Sequence, residues 1–247
     1  MRWTRFAAVG CVVLAVGLGT VAVGGAGPQE EAAPQEESVP PAAPPRVELP
    51  EPVRKGTVSL EEAIQKRRCV RQYAERALTL VQLSQLLWSA NGVTGDNPRF
   101  RAAPSAGALH PLDFYAVVGQ GMVEGLEAGV WHYEPADHAL TRVLEGDNRQ
   151  ALARAALGQR QIVTASVVIV VTAEYARSTG KYSERGQRYA LMDAGFAAEN
   201  LCLQVQTLNL AVCIVGAFRD AAVTETLRLP KAHEPLLFLT VGHPRAN

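Results

Sequence analysis

The sequence holds no CxxC pair, no HExxH helix, no GxSxG elbow and no Walker loop. The missing patterns argue against a zinc ribbon, a dithiol centre, a zinc-dependent hydrolase, an α/β-hydrolase nucleophile and P-loop nucleotide binding. Net charge is missing as well, with 24 Lys and Arg against 24 Asp and Glu. From Val58 onward the two signs still balance, so no basic stripe offers nucleic acid a footprint. Five histidines are scattered without metal-ligand spacing, each reading as a surface or packing residue, and no metal site is expected. No internal repeat is visible. What is plentiful is apolar surface: 48% of 247 residues, enough for one large domain or two small ones.

The N-terminus is set apart. Arg2 and Arg5 precede the uncharged run Phe6 to Val23, which ends in Gly24-Gly25-Ala26. Residues 1–26 read as an export signal or a membrane anchor. The run is at the lower edge of the roughly 18 residues a spanning helix needs. Both readings place the rest of the chain outside the cytoplasm, secreted or tethered through residues 6–23, because the basic end stays inside. Pro28 to Pro52 then holds eight of the fifteen prolines. Residues 27–57 are predicted to form an extended, disordered linker, since such a composition cannot bury enough apolar surface to order itself. The folded domain is assigned to residues 58–247. Its cysteines, Cys69, Cys202 and Cys213, read as unpaired buried thiols, although an exported chain could join two of them.

Within the domain, Ser59-Leu60-Glu61-Glu62 opens one helix and Thr79-Leu80-Val81-Gln82 a second, stopped by Asn91-Gly92. "DFYAVV" predicts a strand, and "VWHYE" with "ALTRVLE" a hairpin. "NRQALARAAL" is helical. "SVVIVVTA" predicts a strand buried on both faces. From Arg185 to Leu208 a long segment is apolar almost all round and predicts a buried central helix. "AVCIVGAF" is a strand, "AAVTETLRL" a helix and "PLLFLTV" the last strand. Strands and helices mix without βαβ regularity, which predicts an α+β sheet covered by helices.

Four stretches could carry chemistry. In "APSAGALHP" small residues just before a strand either make a turn or let a flat or anionic ligand lie on the backbone. Arg67, Arg68 and Arg71 either grip an anion through forked guanidinium groups or end a helix. Lys181 and Tyr182, in a connection before the central helix, either handle protons and oxyanions or are an ordinary polar loop. Gly216 and Ala217 either admit a ligand to backbone N–H groups or end a strand.

As a set and in order, "RRCVRQY", "LLWSANGV", "PSAGALHPLDFYAVV" and "KYSERGQRYALMDAGFAAENLCLQVQTLNLAVCIVGAF" resemble the nitroreductase superfamily. Within it they look most like the thiazoline and oxazoline dehydrogenase branch. The resemblance covers about Val58 to Pro244. It implies a central mixed sheet wrapped by helices and a homodimer with FMN at the subunit interface. It further implies that Arg67, Arg68, Cys69 and Arg71 hold the flavin phosphate. Pro104, Ser105, Ala106 and Gly107 would lie along the flavin ring, the Ser105 hydroxyl included, and Gly216 and Ala217 near its N5. Asn91 and Asn200 are further cofactor candidates. Lys181 and Tyr182 are the implied catalytic pair, taking a proton as hydride leaves a small-molecule or peptide substrate. The chain departs from the pattern at Cys69, where Ser is usual, at His110, where Tyr is common, and in its exported leader. Alternatives are an NAD(P)H-dependent quinone or nitro reductase and a non-catalytic exported module that binds flavin or peptide.

Overall fold

The computed structural model describes residues 43–245. The expected leader and residues 27–42 of the expected linker lie outside the described residues. In chain order the strands are β1 (Arg46–Glu48), β2 (Tyr73–Ala74), β3 (Leu112–Val118), β4 (Gly129–Glu134), β5 (Ala139–Glu145), β6 (Val167–Ala173), β7 (Ala211–Val215) and β8 (Glu234–Pro244). The helices are α1 (Leu60–Lys66), α2 (Leu80–Asn91), α3 (Arg149–Ala155), α4 (Arg160–Thr164), α5 (Ala176–Tyr182), α6 (Arg185–Thr207) and α7 (Asp220–Leu227).

The strands form one sheet in the order β1-β5-β4-β3-β6-β8-β2, with β7 also on β8. These pairs are antiparallel. Parallel contacts occur as isolated bridges, Cys69 to Val212 and Leu78 to Val123. The architecture is the expected α+β sheet wrapped by helices. All seven residues of β6 are buried, because helices cover both faces of the sheet there. On one face Leu83, Leu86 and Leu87 of α2 and Ala194 and Leu201 of α6 pack against Ile169. On the other, Leu152, Ile162 and Val223 pack against Val168 and Phe238. The start of α2 is a full capping box. Thr79 accepts the Gln82 N–H at 3.2 Å, and the Gln82 side chain accepts the Thr79 N–H at 2.9 Å.

Three expectations need correction. The linker does not extend to residue 57. Arg46 to Glu48 pair with β5, Leu49 is buried in the core, and the Val53 N–H donates to Gln85. The short alternation of Val47 and Leu49 seats this segment on the sheet edge despite its prolines. The central helix α6 is not buried all round, because Leu191, Met192 and Phe196 are 54%, 44% and 50% exposed. Cys69 is exposed, whereas Cys202 and Cys213 are buried; all three are free thiols. Among the described residues no helix is long and apolar enough to cross a membrane.

Burial lowers the pKa of His110, His138, His233 and His243. The native protein therefore binds fewer protons than the unfolded chain below the ordinary histidine value of about 6.5. Stability is full above that pH and is lost as pH falls toward each folded-state value. Thermal melts between pH 7.5 and 5 should show a falling midpoint on the acid side. A flat profile would contradict the burial of these imidazoles.

Candidate active site

Residues 103–111 fold as a tight turn ahead of β3. Gly107 has φ 65, and Ala108 and His110 are also left-handed at φ 52 and φ 45. Only glycine adopts this backbone without a Cβ penalty. The turn lies against two side-chain ends from α5. A Cβ on Gly107 would lie 2.7 Å from the Tyr182 hydroxyl oxygen and 3.0 Å from the Lys181 Nζ. The structure therefore brings together two stretches separated by more than seventy residues.

Lys181 and Tyr182 close the short helix α5 rather than lying in a loop. The Lys181 ammonium sits 5.3 Å from the Tyr182 ring centre, and Tyr182 meets Tyr189 edge-on at 5.1 Å. Gly186 fixes how closely α5 approaches α6. A Cβ there would stand 2.6 Å from the Ser178 carbonyl carbon and 2.7 Å from the Thr179 nitrogen, both backbone. Overpacking of this kind costs about 1–3 kcal/mol. Gly186→Ala is expected to lower the urea midpoint accordingly and to displace the Lys–Tyr pair. An unchanged midpoint would show that the two helices can part without strain.

Around the turn, Asn200 of α6 donates to the Ala102 carbonyl at 3.0 Å. Arg177 donates to the His110 carbonyl at 3.2 Å. The Ser105 Oγ accepts the His110 N–H at 3.0 Å, which leaves its hydroxyl proton able to donate. Asp193 is a site residue that sequence reasoning missed. It is 4% exposed, and burial raises its carboxyl above the ordinary value.

A second cluster also escaped the sequence. Asp113 lies 3.1 Å from His132, 2.8 Å from Arg177 and 3.6 Å from His233, whose Nδ1 meets the Tyr115 hydroxyl at 2.7 Å. Burial alone would raise the Asp113 pKa. The His132 hydrogen bond and the Arg177 charge outweigh it and hold the carboxyl below its ordinary value. Arg177 also pairs with Glu174 at 2.7 Å, so one guanidinium balances both carboxylates beside His233.

The arginine segment lies elsewhere on the chain. Cys69 bridges to Val212 and the Val70 N–H donates to the Val212 carbonyl at 2.9 Å, so the segment runs along β7. Arg67 faces Glu199 at 3.8 Å. Arg68 turns back onto the carbonyls of Gln65 and Arg67 and completes the end of α1, as a cation at a helix terminus does. Arg71 lines a cavity of about 420 Å³ with Arg160 and Arg245, and among the described residues no carboxylate lies on its wall. Gly216, just past β7, is exposed, and a Cβ there would meet nothing within 4 Å. The Ala217 carbonyl accepts from Gln159 at 2.7 Å. Asn91 is buried at the end of α2, its carbonyl accepting from Arg101 at 3.2 Å. Among the described residues no hydrogen bond or ion pair joins this segment to Gly107, Lys181 or Tyr182.

The fold is that of the nitroreductases. A solved nitroreductase-like structure from Ralstonia eutropha JMP134 superposes with a TM-score of 0.71 at 26% identity, covering 82% of this chain and 90% of its own. The chain belongs to the Nitroreductase family, whose sequence pattern matches residues 64–243, and it is an oxidoreductase of nitroreductase type. A Methanocaldococcus jannaschii protein that carries the nitroreductase name is 41% identical over 185 residues, 75% of this chain and 91% of its own. The microcin B17-processing protein McbC of Escherichia coli is 28% identical over 156 residues, 62% of this chain and 57% of its own.

Proposed function

We propose that this protein is an FMN-dependent oxidoreductase that oxidises azoline rings in peptides. The observation that carries the reading is the seating of Lys181 and Tyr182 directly over Gly107. It puts two groups able to hold or move a proton against a turn of small residues. The similarity to a microcin B17-processing protein supports a peptide substrate. The side chains present also fit a flavin. Arg67 and Arg71 would hold its phosphate in charge-assisted bonds, and the open backbone at Gly216 would admit a flat ring. Bound FMN would supply a two-electron acceptor for hydride. Lys181 and Tyr182 would take the proton that leaves the azoline as the ring becomes aromatic, while the Ser105–His110 turn holds the pair in place.

The functional unit is a homodimer. Leu191, Met192 and Phe196 on α6, with Leu60 and Ile64 on α1, are large, apolar and exposed. An apolar face of this kind suits a self-complementary two-fold interface. The separation of the arginine segment from Lys181 within one chain agrees with a site composed from two copies. The leader, residues 1–26, would place this dimer outside the cytoplasm.

A second reading, reduction of quinones or nitro compounds by NAD(P)H, is favoured by the 41% identity to the nitroreductase-named relative. The test common to both is direct. Purified protein titrated with FMN should turn yellow, quench flavin fluorescence and scatter light as twice the chain mass. A colourless protein would overturn the cofactor, and a monomer that binds FMN tightly would overturn the shared site.

A further inference from the structure

We infer that Arg177 is the positioning residue of the Lys181–Tyr182 site: its guanidinium grips the backbone turn at His110 and seats the end of α5 over Gly107. The inference rests on the reading of Lys181 and Tyr182 as proton-handling groups.

Each of the three guanidinium nitrogens has a partner of its own. Nε donates to Glu174 Oε2 at 2.7 Å, Nη2 pairs with Asp113 Oδ2 at 2.8 Å and Nη1 donates to the His110 carbonyl at 3.2 Å. The partners come from the link between β6 and α5, from β3 and from the turn. A planar fork fixes the angles between its partners, which an ammonium on a flexible stem does not. The frame behind the fork is tied as well. His132 Nε2 lies 3.1 Å from Asp113 Oδ1, and the Glu174 N–H donates to the Pro111 carbonyl at 2.8 Å.

Both sides of the site need such a clamp. Gly107, Ala108 and His110 all have positive φ, and two of the three carry a Cβ. Left-handed backbone is unfavourable for such residues and persists where the surroundings over-determine it. His110 is held at both ends, its N–H by Ser105 Oγ at 3.0 Å and its carbonyl by Arg177. On the other side, α5 has seven residues and no side-chain cap at its start, too short a helix to be stable by itself. Arg177 lies one turn before Lys181 on the same helix face. The guanidinium that holds the turn therefore also sets where the Lys181 and Tyr182 side chains end, against Gly107.

Arg177 also balances two carboxylates, and the test separates that role from positioning. Backbone hydrogen exchange is followed by mass spectrometry on the full chain, with and without FMN. In Arg177→Ala, amides 106–110 should exchange about tenfold faster or more, the loss of one charge-assisted hydrogen bond, while β6 and α6 keep their rates. Arg177→Lys keeps the charge beside Asp113 and Glu174, and with it the thermal midpoint, but an ammonium does not serve three fixed acceptors. Its turn should still exchange at least about threefold faster. In the flavin-loaded protein both variants should lower kcat for an azoline peptide with little change in KM. Native exchange in Arg177→Ala would overturn the inference. Native exchange and native kcat in Arg177→Lys would overturn it too, leaving the arginine only its charge. If Arg177→Ala does not fold, Arg177→Lys decides. A loosened turn with native kcat overturns the positioning role where Lys181→Ala slows turnover. Where Lys181→Ala and Tyr182→Phe leave turnover unchanged, the proton-handling reading fails, and exchange alone decides whether Arg177 holds the turn.

Discussion

Replacing Lys181 by Ala or Tyr182 by Phe is expected to leave the protein yellow and to slow flavin reduction by an azoline peptide about 10²–10⁴-fold, the usual weight of a general acid–base group. Both side chains end at Gly107, within reach of anything that lies on the turn. Neither forms a hydrogen bond or an ion pair with the arginine segment among the described residues, so flavin retention should not depend on them. Reduction by NAD(P)H, which needs no proton from substrate, should change much less. If both variants lose flavin, the pair is structural. If neither slows any turnover, azoline oxidation fails as the reading and quinone or nitro reduction takes its place.

The second large effect is expected at Arg67. Its guanidinium meets Glu199 only at 3.8 Å, with both side chains well exposed. A pair of that kind contributes little, which leaves the charge available to an anion. A charge-assisted hydrogen bond contributes about 1.5–3 kcal/mol. Arg67→Ala should therefore weaken FMN binding by an order of magnitude or more and change riboflavin binding far less. Paired titrations of the two flavins separate the phosphate from the ring. Equal losses would show that Arg67 does not touch phosphate.

How much of this could be read from residue order varied with the kind of signal. The strand β6 was legible because seven apolar or small residues in a row leave few other structures open. The caps at Ser59 and Thr79 were legible because their partners sit three residues away. The strand β1 was hidden by Pro44, Pro45, Pro50 and Pro52, which set the composition of the segment although only Val47 and Leu49 decide where it docks. The helix α5 was hidden by Gly180 and by the lack of a side-chain cap. The open side of α6 could not be seen, since an apolar residue reads the same in sequence whether it is buried or exposed. Asp193 was lost as one acid in a long apolar segment. The Asp113 cluster draws on β3, β4, the start of α5 and the turn before β8, residues that share no spacing.

The strand β1 has a consequence for the order of assembly. Arg46 bonds to Glu134 and Asp137, 88 and 91 residues away. Among the described residues no nearer strand offers it a ladder, and the β4–β5 hairpin must exist before β1 has an edge to join. Closing so long a loop carries an entropic cost that few contacts of a three-residue strand can offset early. The first described strand in the chain is thus among the last to settle, like a latch set once the body has closed.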